Sequence, residues 1–248
     1  MNIIVLFSGT KSIEKVYDEE KNDIRSVDLD NTFNPYYNVD ILVWDYKKIF
    51  EKWVPDYIHG SPVCKEFSNM KHGHKRDMGL GLSLLNKTLE IIEYVKTLNP
   101  KLKYTIENPK GLMRKLDCMK PYNMITTSYC KYGFLYQKHT DFFYGGFELE
   151  LRPICRNTKC DSNWCEGKKK WGTHRVRLGV SRNSKTHKLS HINQIPDSEY
   201  FKQYKIDNPE YKKYTNTYFR YMIPEDLCKE IKNCVEKENL PKEIIEEI

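Results

Sequence analysis

Apolar and polar positions follow one another along this chain in two rhythms. Short, almost wholly apolar runs recur between polar stretches in the first half, as strands buried on both faces of a sheet do. Runs at residues 3–7, 24–27, 39–43, 56–60 and 102–106 predict five such strands, and 122–129 and 142–143 predict two more. Leu84, Leu85, Leu89, Ile92 and Val95 instead recur at helical spacing. Asn99-Pro100 closes that pattern, so residues 80–98 predict a helix. Residues 12–20 have helical polarity after a glycine turn. A last helix begins at Pro224, with Glu225 and Asp226 in its first turn, where the helix dipole favours acids. Residues 65–80 are polar and rich in Gly, His and Lys, and read as a mobile loop. Strands alternating with helices predict an α/β fold, with helices on both faces of a largely parallel sheet.

Composition shifts after Gly145-Gly146. The chain becomes basic, cysteine-bearing and weakly periodic until about residue 208. Three parts follow: residues 1–146 as the main domain, 147–215 as a small basic module, and 216–248 as a segment returning to the main domain. At 248 residues the chain can bury a full core. It has no apolar run of about 18 residues, so no transmembrane helix and no membrane partner are expected. Its apolar start lacks the flanks of a signal peptide and reads as the first strand.

The formal net charge of +7 is modest, but its distribution is uneven. Residues 152–188 hold eleven Lys and Arg against two acids, Asp161 and Glu166. Such a stretch suits a polyphosphate partner, with Lys168, Lys169, Lys170, Arg175 and Arg177 as candidate nucleic-acid contacts; a solvated surface loop is the alternative. Eight cysteines in a chain of this size fit a reducing intracellular compartment, cytoplasm or nucleus. Cys155, Cys160, Cys165 and His174 form a candidate structural zinc set, since thiolates and an imidazole suit that ion. Their spacing lacks a Cys-x-x-Cys pair, and unpaired thiols in a loop are the other reading. Cys228 and Cys234 read as packing residues, and Cys118 and Cys130 have no assigned role. Tyr129, Tyr132, Tyr136 and Tyr144 fit either base stacking or the core.

Two constellations carry chemistry. Phe7-Ser8-Gly9-Thr10 follows a strand, and Asp28 ends the next strand nineteen residues after Gly9. A glycine turn that admits a ligand to backbone amides, followed by an acid for ribose hydroxyls, is the layout of a nucleoside site. Asp40, further on, is placed to accept from an adenine amino group. The second constellation is Ser61-Pro62-Val63-Cys64 with Glu107-Asn108-Pro109, each after an apolar strand. A thiol at a strand end tends toward nucleophile character. A carboxyl partly desolvated there has its pKa raised and can donate a proton near neutrality.

In order, Phe7-Ser8-Gly9-Thr10, Asp28-Leu29-Asp30, Asp40-Ile41, Ser61-Pro62-Val63-Cys64, Glu107-Asn108-Pro109 and Gln137-Lys138-His139-Thr140-Asp141 resemble the motifs of the cytosine-C5 DNA methyltransferases, closest to short phage- and giant-virus-like members. Arg220-Tyr221-Met222-Ile223-Pro224 resembles the closing motif that returns to the cofactor pocket. The resemblance implies a class I methyltransferase fold with a mixed seven-stranded sheet, residues 1–146 as catalytic domain and 147–215 as target-recognition module. It implies S-adenosylmethionine as cofactor, held by Phe7, Gly9, Thr10, Asp28, Asp40 and Pro62. The partner implied is double-stranded DNA with a flipped cytosine. Cys64 would add to C6 while Glu107 acts at N3, with Lys138 as the nearby cation.

There are three departures from the family pattern: Val63 replaces the proline before the nucleophile, Lys11 replaces a glycine, and His139 and Asp141 stand where two arginines usually hold the base. Asp141 is thereby expected to bring a carboxylate near the site. A non-catalytic nucleic-acid-binding relative, or an enzyme modifying another pyrimidine or RNA, are the competing readings.

Overall fold

A computed structural model describes residues 1–68, 76–156, 174, 176–177 and 195–237. Seven strands form one mixed sheet: β1 (Asn2–Leu6), β2 (Asp23–Asp28), β3 (Tyr37–Asn38), β4 (Tyr57–Gly60), β5 (Lys103–Pro109), β6 (Asn123–Ser128) and β7 (His139–Gly145). The spatial order is β3-β2-β1-β4-β5-β7-β6. The first five strands are parallel, and β7 runs antiparallel to both β5 and β6. This is the mixed seven-stranded sheet that the resemblance implies. The chain leaves β1 toward β2 and β3 on one side, then resumes on the other with β4 and β5. The order therefore reverses between β1 and β4, and the crevice at the carboxyl ends of those strands is where such sheets hold ligands.

The short apolar runs become strands because both faces of the sheet are covered. Ile4, Leu6, Ile58, Ile106 and Phe143 face one core. There they meet α1 (Tyr46–Phe50) and α2 (Met78–Leu98) through Phe50, Leu85, Ile92 and Val95. Ile3, Val5, Tyr57 and Phe142, the alternate positions, face the second core. This core is closed by α3 (Asp197–Asp207), α4 (Asn216–Tyr221) and α5 (Glu225–Lys237), which contribute Phe201, Phe219, Leu227 and Ile231. Tyr129, Tyr132 and Tyr136 are buried in it, as are Cys228 and Cys234. Two short strands, β8 (Val176–Arg177) and β9 (Ile195–Pro196), pair in parallel beside it.

Several elements differ from the pattern-based expectation. Residues 12–20 form only a 3-10 turn, Glu14–Val16. Ile13, Val16 and Tyr17 give the core one turn's worth of apolar contact, and the polar residues 18–22 offer nothing to extend it. The strand expected at 39–43 is replaced by the two-residue β3 and a turn, because the Asp40 carboxylate accepts the Leu42 amide at 2.9 Å. The supposed loop at 65–80 begins as a 3-10 turn, Cys64–Glu66, followed by fully buried Phe67. It ends at the start of α2, where Asp77 caps the Leu80 amide at 2.9 Å. Residues 69–75 lie outside the described residues.

Candidate active site

A cavity of about 310 Å³ opens at the carboxyl ends of β1, β4 and β5. Its lining includes Phe7, Gly9, Thr10, Asp28, Pro62, Cys64, Glu107 and Lys138, so eight of the nine candidate catalytic and cofactor residues converge. Asp40 is the exception: it is absent from the lining, and its carboxylate is committed to the turn cap just described.

The loop after β1 takes an unusual path. Phe7, Gly9 and Lys11 all have positive φ, at 58°, 49° and 57°. That geometry is easy for glycine and costly for the other two. Lys11 is held there by its ammonium, which donates to the Asn34 carbonyl at 2.7 Å. The Gly9 amide and the Asp30 amide each donate to the Asp28 carboxylate at 2.8 Å. Burial nevertheless raises the Asp28 pKa above the usual carboxylate range.

On the other side, Cys64 opens its 3-10 turn and Glu107 lies within β5, one strand over. Asn108 donates from Nδ2 to the Pro62 carbonyl at 3.0 Å and ties the two strand ends together. Glu107 is buried, and the Tyr129 hydroxyl donates to its Oε1 at 3.1 Å. The Lys138 ammonium lies 3.9 Å from that same oxygen and donates to the Arg220 carbonyl at 3.1 Å. Burial raises the Glu107 pKa, with Lys138 and Tyr129 opposing the rise, so the protonated acid is favoured relative to a free carboxyl. Burial also pushes the Cys64 thiol up, against the pull of Lys138. Burial thus opposes the expected thiolate character, favouring the Cys64 thiol more than in a free cysteine, so activation depends on what enters beside it.

Asp141, paired with Asn108 across β5 and β7, is close enough for its charge to add to the rise of the Glu107 pKa, but its carboxylate does not line the cavity. Alternation along β7 points it to the opposite face of the sheet. There Arg114 donates to both its oxygens, from Nε at 2.7 Å and from Nη2, and the Thr126 hydroxyl donates at 2.9 Å. The carboxylate expected near the site is thus held in a buried ion pair with Arg114, and reaches Glu107 only through its charge. His139 turns to the Ser128 hydroxyl, 2.7 Å from its Nδ1.

Sequence reasoning missed several lining residues. His59 bridges the Thr105 and Ser61 hydroxyls at 2.8 and 3.0 Å, and burial lowers its pKa to about 3, which keeps the ring neutral. Tyr218, Tyr221 and Ile223 come from α4 and the segment after it. The Ile223 amide donates to Ser12 Oγ at 3.1 Å, which brings the 220–224 motif to the cavity. Glu14 is only 8% exposed, and neither of its carboxylate oxygens has a hydrogen-bond partner among the described residues. Burial pushes its pKa up to about 7. Nothing in its exposed-looking sequence context signals this.

Of the candidate zinc ligands, Cys155 and His174 come together, joined by Cys130, to which the sequence assigns no role. Cys160, Cys165, Lys168, Lys169, Lys170 and Arg175 lie outside the described residues, and Arg177 is described only as part of β8. No helix among the described residues is long and apolar enough to cross a membrane.

No family model matches the chain. It is 34% identical over 155 residues to a protein of Frog virus 3 (isolate Goorha) described as a probable DNA (cytosine-5)-methyltransferase, covering 56% of this chain and 68% of that protein. Among solved structures it is similar to a Spodoptera frugiperda DNMT2 mutant, with TM-score 0.42 and 19% identity over 64% of this chain. It is also similar to the Entamoeba histolytica methyltransferase EhMeth, with TM-score 0.44 and 15% identity over 62% of this chain. The chain spans 56% of the length of each of those two structures.

Proposed function

Because this chain belongs to the DNA (cytosine-5)-methyltransferase family, we propose that it transfers a methyl group from S-adenosylmethionine to C5 of cytosine in DNA. The observation that carries the reading is the convergence of Cys64, Glu107 and Lys138 on the cavity that also holds the Gly9 turn and Asp28. The residues on the cofactor side fit a nucleoside carrying an amino acid. Apolar Val5, Phe7 and Ile223 supply walls, Gly9 admits close approach, and Asp28 retains lone pairs for ribose hydroxyls. Glu14 and Ser8 are buried and line the cavity with side-chain oxygens that lack partners among the described residues, as an amino-acid ammonium and its neighbours would require. When bound, S-adenosylmethionine supplies an electrophilic methyl group on a sulfonium centre.

The chain's own residues prepare the base. Cytosine C5 is a poor nucleophile until C6 gains a substituent. Cys64 Sγ adds to C6 as the thiol gives up its proton to water, and the Glu107 carboxyl donates a proton to N3 so that the ring holds no net negative charge. Lys138 then stabilises the carboxylate that Glu107 becomes. After C5 is methylated, its proton passes to water, Cys64 leaves as thiolate and is reprotonated, and the N3 proton returns to the Glu107 carboxylate, which restores the aromatic ring and the starting site. The target must leave its duplex stack to enter the cavity, at a cost of a few kcal/mol. The basic composition of residues 152–188 supports a polyanionic partner, with Lys168, Lys169, Lys170, Arg175 and Arg177 as contacts, and an intracellular setting follows.

Transfer of tritiated methyl from S-adenosylmethionine is measured on DNA and on RNA, with Cys64→Ser as control. The reading expects label in DNA as 5-methylcytosine and none with Cys64→Ser. Label confined to RNA would replace the substrate, and no label despite DNA binding would favour a non-catalytic binder.

A further inference from the structure

Three residues distant in sequence meet beside the end of the sheet that carries Lys138. Cys130 lies in the 3-10 turn Tyr129–Tyr132 after β6, Cys155 in the extended stretch after β7, and His174 just before β8. All three are buried, with exposures of 4%, 4% and 6%. One ligating atom from each lies within 4.8 Å of the others, and Cys155 Sγ is 3.7 Å from His174 Nε2. Tetrahedral zinc, with Zn–S about 2.3 Å and Zn–N about 2.0–2.1 Å, sets a sulfur and a nitrogen about 3.6 Å apart. That pair already has the separation of two corners of a zinc tetrahedron.

We propose that Cys130, Cys155 and His174 bind one structural zinc ion. The backbone that presents them is fixed independently of any ion. The Cys155 amide donates to Ser128 Oγ at 2.8 Å, and Gln137 Nε2 donates to the Cys155 carbonyl at 3.0 Å. On the far side, the Val176 amide donates to the Leu135 carbonyl at 3.1 Å, which seats His174 against the same turn. Zinc binding forms two Zn–S bonds and one Zn–N bond, takes a water molecule in the fourth tetrahedral position, and releases one proton from each thiol to solvent. Its structural consequence follows from connectivity. Cys155 and His174 bracket the sequence that contains Lys168, Lys169 and Lys170, so the ion clamps both ends of that basic stretch to the sheet. The site stands whether or not the methyltransferase reading does.

The test uses full-length protein purified without chelator. Elemental analysis should find close to one zinc per chain, and Co²⁺ titration of the metal-free protein should give thiolate-to-metal charge transfer with tetrahedral d–d bands. Cys130→Ser and His174→Asn should each weaken Co²⁺ binding at least about tenfold, while Cys118→Ser, at the opposite core, should not. Where a variant fails to fold, X-ray absorption on the zinc-loaded wild type decides, with at least two sulfurs and one imidazole nitrogen expected. Absence of both zinc and a cobalt–thiolate band would overturn the site. So would a bound metal with no sulfur ligand, or unchanged Co²⁺ affinity in Cys130→Ser.

Discussion

Glu14→Gln removes a charge that the fold buries with no hydrogen-bond partner among the described residues, and the energy of that charge follows from its pKa. The carboxyl moves from an ordinary 4.5 to about 7, mainly through burial. A raised carboxyl pKa means that the folded state keeps its proton while the unfolded chain has already released it. Stability is therefore lost as pH rises from about 4.5 to about 7 and stays constant above that. That rise corresponds to roughly 3 kcal/mol once titration is complete, and about 1 kcal/mol is already lost by about pH 5.5. The substituted glutamine does not titrate, and any cost of burying its amide is the same at every pH. The readout is thus the change in the stability gap with pH. Denaturant melts should show the gap between variant and wild type moving in the variant's favour by about 2 kcal/mol between about pH 5.5 and pH 8. Cofactor binding should move the opposite way. By calorimetry, Glu14→Gln should weaken S-adenosylhomocysteine, which carries the amino-acid ammonium, and leave 5′-methylthioadenosine, which lacks it, unchanged. A pH-independent stability gap would refute the unpaired buried charge, and equal weakening of both ligands would refute its role at the ammonium.

Three further outcomes follow from the geometry. Arg114→Met should cost about 3 kcal/mol in denaturant melts, because it strands the buried Asp141 carboxylate, and the double variant Arg114→Met/Asp141→Leu should recover much of that loss; a cost below about 1 kcal/mol would show the pair to be unimportant. Tyr129→Phe removes a hydrogen bond that lowers the Glu107 pKa, so the alkaline limb of kcat/KM, where the acid loses its proton, should move to higher pH; an unmoved limb would remove Glu107 as the titrating acid. Lys138→Met removes the cation that opposes the rise of both Cys64 and Glu107, and should lower kcat by at least about tenfold while leaving S-adenosylhomocysteine affinity intact.

Much of this fold was legible as pattern, and the exceptions have physical causes. Residues 3–6, 57–60 and 103–106 are buried on both faces, so their apolar runs mark them as parallel strands. The stripe from Leu84 to Val95 marks α2 just as directly. Where side chains, not periodicity, decide the backbone, the pattern misled: the apolar run at 39–43 is a turn because one carboxylate caps it. The site was legible where chemistry and strand ends coincide, at Gly9, Asp28, Cys64 and Glu107. It was illegible where long-range packing decides. Asp141 looks like a threat to the nucleophile until strand alternation and Arg114 turn it to the other face. Glu14 looks like a surface acid on a short turn until the second core closes over it. Cys130 finds Cys155 and His174 only through tertiary structure, and their sequence spacing carries no metal signature.

The adduct between Cys64 and a pyrimidine is the step on which the proposed chemistry depends. DNA containing 5-fluorocytosine cannot lose its C5 substituent after methyl transfer, so an enzyme that adds a thiol at C6 stays attached. With S-adenosylmethionine present, intact-mass analysis should show one protein–DNA adduct, peptide mapping should place it on Cys64, and Cys64→Ser should abolish it. Failure to form any adduct while calorimetry shows both cofactor and DNA bound, or an adduct mapped to another residue, would contradict the assignment of Cys64 as nucleophile.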